Sequence, residues 1–287
     1  MNDDAGSASG SGPGLAAGRG LAVCSWSLQP SSLSDLVSKL GQTGLQRVQL
    51  ALGPMLTGDW DEAETVAALR DAGIEIVSGM LEMAGEDYST LETIAATGGV
   101  RPDATWNENV RLATEASDMA ARLGMQLVTF HAGFIPHDAS DPERAKVIER
   151  VRTVADVFAA NGVRVGLETG QESASTLLAA LDALDHESIG VNFDPANMIL
   201  YGMGDPVEAV RTLAGRVVQV HAKDAIASER PGEWGTEVPI GAGDVRWAEL
   251  FGVLREIGFE GDVVIEREAG EDRIGDVVRG VAKLLAE

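Results

Sequence analysis

One cysteine, two tyrosines and four histidines occur in the 287 residues. A single cysteine cannot close an internal disulfide, so the fold must stand without one; a reducing compartment fits this. Cys24 lies in an apolar stretch with no base near it in sequence, and reads as packing rather than as a nucleophile. No apolar run approaches the roughly 20 residues that a bilayer-spanning helix needs, so no membrane partner is expected. Basic residues are scarce, 22 Lys and Arg against 45 Asp and Glu, a net charge of −23. Such a field repels phosphate backbones and sets nucleic acid aside as a partner. The plain reading of the acidity is solubility, although a local cluster of cations can still hold a small anion. The first residues, MNDDAGSASGSGPG, lack the basic and apolar regions of a secretory signal. Their Gly, Ser, Asp and Pro predict a disordered tail over 1–18, and the expected location is the cytoplasm.

What is present is a steady alternation. Hydrophobic residues make up 45% of the chain and glycines number 34, which suits a globular α/β protein with many short loops. Short apolar runs predict strands over 21–25, 45–50, 74–80, 125–131, 163–168, 189–193, 217–221 and 262–266. Helical spacing between them predicts helices over 32–40, 61–72, 106–123, 142–161, 173–184, 206–214, 247–257 and 273–286. Asp61 or Asp59, and Asp141 before Pro142, read as helix starts. Eight strand–helix units imply parallel strands joined by right-handed crossovers, and close naturally into one (β/α)8 barrel over 19–287. The competing open doubly wound sheet normally carries a Gly-rich turn after its first strand; here Ser25-Trp26-Ser27 follows. The stretch 81–105 reads as irregular and too long for a simple turn, which marks it as functional or disordered.

In such a barrel the C-terminal strand ends converge on one face. Four strong ligand types fall at those ends on four consecutive strands: Glu168 closes VGLE, Asp194 closes VNFD, His221 lies in VQVHAKD and Glu266 closes VVIE. Taken singly, each carboxylate has a bland explanation as a helix cap or a lysine partner, and the histidine as a hydrogen-bonded structural residue. Taken together, three buried carboxylates would repel one another without a cation between them. The oxygen-rich set suits one divalent ion, Mn²⁺ first, with Mg²⁺, Co²⁺ or Zn²⁺ as alternatives. Around it, His131 ends the fourth strand and points toward the site. Lys223 shares a strand face with His221 and reads as a group for a substrate oxygen. Gln171 in ETGQE and Arg267 beside Glu266 are further substrate-binding candidates, although Arg267 has Glu268 and Asp272 as competing partners. Trp26 offers a face for a sugar to stack on, against plain packing as its alternative. Trp234 lies in the loop ERPGEWGTEVP, which with 81–105 is expected to act as a lid that excludes water.

The stretches GLETG, NFDPANM, VQVHAKDA and GAGDVRWAELFGVLREIGFEGDVVIE, in this order and spacing, resemble the xylose-isomerase-like barrel superfamily of sugar and sugar-phosphate isomerases and epimerases. The resemblance covers the chain in rhythm from about Leu21, and in specific motifs from about Val163. It implies that Glu168 and Glu266 both bind the metal and act as the acid/base pair on opposite faces of a carbohydrate substrate, with Asp194 and His221 as pure ligands. Many relatives carry histidine three residues after the strand-six aspartate; here Asn197 stands there, suited to hydrogen-bonding a hydroxyl. VQVHAKD holds one histidine, short of what a multi-metal nuclease site needs. The resemblance also carries the expectation of a homodimer.

The expected chemistry is removal of a proton next to a carbonyl, with the enediolate stabilised by the metal and the base supplied by a carboxylate. Returning the proton to the same carbon inverts it, which is epimerisation; placing it on the neighbouring carbon gives aldose–ketose isomerisation. Two other classes compete: a lyase or dehydratase on a keto-sugar or keto-inositol by β-elimination, and a sugar-binding barrel without catalysis.

Overall fold

Alternating apolar positions build ten strands: β1 (Leu21–Cys24), β2 (Arg47–Ala51), β3 (Glu75–Met80), β4 (Leu127–Phe130), β5 (Arg164–Glu168), β6 (Ile189–Phe193), β7 (Val217–Ala222), β8 (Asp224–Ile226), β9 (Thr236–Val238) and β10 (Asp262–Ile265). The structure, a computed structural model, describes residues 20–230 and 232–287; the tail expected over 1–18 lies outside the described residues. Eight strands close a parallel barrel in the order β1-β10-β7-β6-β5-β4-β3-β2. Closure is made by β1 against β10, with Leu21 opposite Val263 and Val23 opposite Ile265. Each barrel strand hands over to a helix, and all eight predicted helices are present, from Leu33–Thr43 to Arg273–Leu284.

The helices start where local chemistry satisfies their first amides. Ser32, Asp61, Asp141 and Ser173 each accept a hydrogen bond from an amide two or three residues on. Their apolar stripes then pack on the outside of the barrel: helix Leu33–Thr43 buries Leu36 and Leu40, and helix Ala174–Leu184 buries Leu177, Leu181 and Leu184. This layer between barrel and helices is the main hydrophobic core. Each fully buried Leu or Phe there contributes about 1.5–3 kcal/mol.

The barrel lumen differs. Side chains that face inward are small or polar: Ala22, Cys24, Gln49, Ser78, Thr129, Asn192, Gln219 and Val264, all fully or nearly fully buried. They bond across the lumen. The Ser78 hydroxyl donates to Gln219 Oε1 at 2.6 Å, Gln49 Nε2 donates to the Thr129 hydroxyl at 2.8 Å, and Gln219 Nε2 donates to Asn192 Oδ1 at 3.2 Å. Polar groups this deep are tolerated because they satisfy one another, and they form a floor under the C-terminal face.

Six elements depart from the expected string, the first a 3-10 helix at Ser25–Leu28. The stretch 81–105 contains helix Leu91–Thr97, held by a capping box between Thr90 and Thr93. Short helices also follow β2 (Gly53–Leu56) and β6 (Pro195–Leu200), and β8 with β9 forms an antiparallel hairpin after β7. Helix Pro195–Leu200 begins with Asp194-Pro195, the same Asp-Pro start as Asp141-Pro142, on a segment too short for periodicity to show.

Candidate metal centre

Glu168 ends β5, Asp194 follows β6, His221 lies in β7 and Glu266 follows β10. All four are buried, at 6%, 0%, 0% and 3% exposure. Each offers one ligand atom, and these atoms lie within 4.8 Å of one another. The structure thus brings the four sequence candidates together.

Neighbours fix how each is presented. Asp194 uses Oδ1 to cap helix Pro195–Leu200, accepting from the amides of Ala196 at 2.8 Å and Asn197 at 3.0 Å. Its amide donates to the Thr169 hydroxyl at 2.8 Å. Oδ2 is thereby left over and has no hydrogen-bond partner, with Lys223 Nζ standing off at 3.4 Å. Asp194 thus caps the helix with one oxygen and leaves the other free toward the cluster.

His221 turns Nδ1 toward Glu168 Oε1 (3.4 Å) and Glu266 Oε2 (3.5 Å), and Nδ1 likewise has no hydrogen-bond partner. Its Nε2 sits 2.7 Å from Gln49 Oε1. Gln49 cannot reverse its amide freely, because its nitrogen is committed to the Gly79 carbonyl (3.3 Å) and the Thr129 hydroxyl. Asn192 Nδ2 also stands 3.0 Å from Nε2 but has Glu168 Oε2 as an acceptor; the shorter contact to Gln49 Oε1 assigns the proton to Nε2 and turns the Nδ1 lone pair to the cluster. Two orphaned, buried lone pairs aimed into a ring of carboxylates fit a hard divalent cation.

The two glutamates are held differently. Glu168 Oε1 accepts from Asn197 Nδ2 at 2.9 Å, whereas Oε2 has a long contact of 3.4 Å from Asn192 Nδ2. Glu266 Oε1 accepts from Trp26 Nε1 at 2.8 Å, and Oε2 from Lys223 Nζ at 2.8 Å. Burial opposes ionisation of Glu168, but His131 and His221 prevail and hold its carboxyl below the usual range. Burial opposes ionisation of Glu266 as well; Lys223 and His221 hold it well below the usual range. Asp194 goes the other way, pushed by burial to about 7 in spite of Lys223, with Glu266 and Glu168 adding to the shift. Burial favours neutral His221, yet Cys24, Glu168 and Glu266 raise it well above an ordinary imidazole. A cation entering the cluster therefore displaces protons.

Above the cluster opens a cavity of about 500 Å³, floored by Glu266 and walled in part by Trp26, His131, Asn197, Tyr201 and Trp234. His131 Nε2 is 3.6 Å from Glu168 Oε1, and its ring meets Tyr88 edge-on at 6.0 Å. Tyr88 and Trp234 belong to the two segments expected as lids, and both line the wall. Lys223 is 2% exposed and bonded to Glu266 and Glu268, deeper than a group freely offered to substrate. Gln171 is also buried, donating to the Tyr201 hydroxyl at 3.4 Å with Oε1 unpartnered. Arg267 is a correction. One residue beyond the inward-facing Glu266, it leaves on the opposite face. Its guanidinium is held by Glu237 at 2.6 Å and Asp276 at 2.9 Å, so it ties the β8–β9 hairpin to the last helix. Sequence reading missed Gln49 and Asn192, although each sits two residues from another inward position on its strand.

Comparison with known proteins agrees with this geometry. The family model of the xylose isomerase-like TIM barrel matches residues 34–285. The crystal structure of a xylose isomerase domain protein from Planctomyces limnophilus is 32% identical, covering 93% of this chain and 95% of that one, with a TM-score of 0.81. An L-ribulose 3-epimerase (17% identity, 92% of each chain, TM-score 0.69) and a probable 3-DHS dehydratase of Bacillus anthracis (18%, 93% and 98%, TM-score 0.68) share the fold. An uncharacterised protein of Methanocaldococcus jannaschii is 25% identical over 187 residues, which are 60% of this chain and 62% of that protein. The chain thus spans less than two thirds of the length of the curated relatives it matches. With a closed eight-stranded barrel and a family match across nearly all of it, the chain belongs to the xylose isomerase-like TIM barrel family.

Proposed function

We propose that this protein is a divalent-metal-dependent isomerase or epimerase of a small sugar, working by proton abstraction next to a carbonyl. The observation that carries the reading is the pair Glu168 and Glu266, both within 3.5 Å of His221 Nδ1 and supported from different sides. Glu168, Asp194, His221 and Glu266 would hold the ion, Mn²⁺ being the first choice, which supplies Lewis-acid polarisation of substrate oxygens when bound.

The remaining work falls to the chain. Both glutamates are held ionised, so both are in the form that accepts a proton. Glu168 Oε2 is the less engaged oxygen and is the atom that takes the proton from carbon. Asn197 fixes Oε1 and so the direction in which Oε2 points. Glu266, clamped by Trp26 and Lys223, serves the other face of the substrate, where it takes up a proton from solvent and delivers it to carbon while the proton on Glu168 is released to solvent. Tyr88, Trp234 and Tyr201 cover the cavity and limit water around the reacting carbon.

The test is solvent exchange. Protein loaded with Mn²⁺ is incubated in D₂O with a panel of free ketoses, and deuterium at the carbon next to the carbonyl is read by mass spectrometry. Exchange is expected in the wild type and is lost in Glu168→Gln and Glu266→Gln. Exchange that survives in both variants, or that never occurs with metal bound, contradicts the proposal. An unsaturated product absorbing in the ultraviolet would replace it with the β-elimination reading.

A further inference from the structure

The wall of the cavity carries no Lys or Arg among the described residues, but it carries Glu82, Glu86, Glu266 and Glu268. From this we infer that the substrate is uncharged: a free polyhydroxy carbonyl compound, with its phosphorylated or carboxylated counterpart rejected. The inference rests on the sugar-isomerase reading above and names the substrate class of the same site.

Lys223 and Arg267 are already answered by carboxylates. Lys223 Nζ lies 2.8 Å from Glu266, 2.6 Å from Glu268 and 3.4 Å from Asp194, three carboxylates around one ammonium. Arg267 is turned outward to Glu237 and Asp276. Arg273, at the start of the last helix, donates to the Glu268 carbonyl oxygen. His131 is the one imidazole on the wall among the described residues, and it faces Glu168 at 3.6 Å. A divalent ion together with Lys223 balances the three ligand carboxylates, which leaves Glu82, Glu86 and Glu268 uncompensated.

The helix Gly53–Leu56, whose first residues line the cavity, has no side-chain cap, but it is a single turn in which Pro54 carries no N–H; at three other helix starts on this face the first amides are taken. Asp194 occupies those of Ala196 and Asn197, Ser173 that of Thr176, and Asp272 that of Gly275. A phosphate placed in the cavity would therefore lose its water and meet like charge, with no Lys or Arg among the described residues of the wall to compensate. A polyol suits the same wall. Carboxylate oxygens accept from hydroxyls, and Trp26, Tyr88, Tyr201 and Trp234 offer apolar faces to C–H groups. Glu86 is held in place for this by the Gly99 amide at 2.8 Å.

The experiment uses the full chain carrying one equivalent of Mn²⁺. D-fructose, D-tagatose, D-ribulose and D-xylulose are each paired with their monophosphates, with binding read by calorimetry and solvent exchange by mass spectrometry. Expected is binding of at least one free sugar, with its phosphate at least ten-fold weaker, and a penalty that shrinks as NaCl is raised. A phosphate that binds or exchanges as well as its free sugar overturns the inference while leaving the isomerase reading standing. If no member of any pair binds the metal-loaded protein, the isomerase reading falls and takes the inference with it. Glu82→Gln with Glu86→Gln is expected to narrow the penalty at least three-fold. An unchanged penalty in a folded, metal-loaded double variant removes these two glutamates as its source.

Discussion

Gln49 touches neither cavity nor carboxylate, yet replacing it should weaken metal binding. Its Oε1 accepts the Nε2 proton of His221 at 2.7 Å, and its own amide is pinned by Thr129 and the Gly79 carbonyl. Gln49→Leu removes the acceptor in a fully buried setting, where an unpaired donor costs about 1–3 kcal/mol. The imidazole then has no reason to keep its proton on Nε2 and its lone pair toward the cluster. Partners of this kind, behind a ligand, are worth roughly 10- to 100-fold in metal affinity. The assay is competition for Mn²⁺ or Co²⁺ against a fluorescent chelator, beside urea unfolding of the metal-free protein. Ser78→Ala is the control, since Ser78 belongs to the same lumen network through Gln219 but does not touch His221. Both variants should lose stability, and Gln49→Leu alone should lose affinity. Equal affinity in the two variants would refute the reasoning.

Three further outcomes follow from particular positions. Burial pushes Glu172 up to about 8, above its unfolded value of roughly 4.3. The stability this contributes is full below that lower value and is lost as pH rises through 8. Urea midpoints of the wild type should therefore fall between pH 5 and 8.5, and Glu172→Gln should flatten the fall by a few kcal/mol; equal slopes would contradict this. Asp194 at about 7 and the raised His221 mean that protons leave as metal enters, so affinity should climb with pH through 7 with proton release in weakly buffered titrations; affinity that is flat from pH 5.5 to 7.5 would contradict it. Gly99 has φ +63, and a Cβ there would lie 2.1 Å from the Ala132 carbonyl carbon. Gly99→Ala should thus destabilise well beyond Gly124→Ala, whose φ is +70 but whose Cβ would meet nothing, the latter costing about 1–2 kcal/mol. Thermal unfolding that ranks the two equally would contradict the close approach.

Much of this was legible in the residues because the signals are local and repeated. Eight apolar runs spaced by helical patterns leave few topologies, and the four ligand residues share the same phase at the ends of their strands. What stayed hidden depends on pairing across the barrel. Arg267 read as a substrate group because it adjoins Glu266, yet its partners Glu237 and Asp276 come from a hairpin and a helix that sequence distance does not connect. Gln49 sits 172 positions from His221 and looked like an ordinary polar residue in a strand. Two inward parities, Gln49 on β2 and Asn192 on β6, could have flagged a polar lumen, since a fully apolar barrel interior would have put Val or Leu there. The short helix at Pro195 was missed for its length, although its Asp-Pro start was visible.

The central claim is that Glu168, Asp194, His221 and Glu266 hold one divalent ion. The most direct test is the metal content of freshly purified protein by plasma mass spectrometry, with Asp194→Ala alongside. The account predicts about one equivalent of Mn, Co, Mg or Zn in the wild type and its loss in the variant, whose fold is verified by circular dichroism. A wild type that takes up no metal even from excess Mn²⁺ and Co²⁺ would contradict it and leave the four side chains as capping and pairing groups.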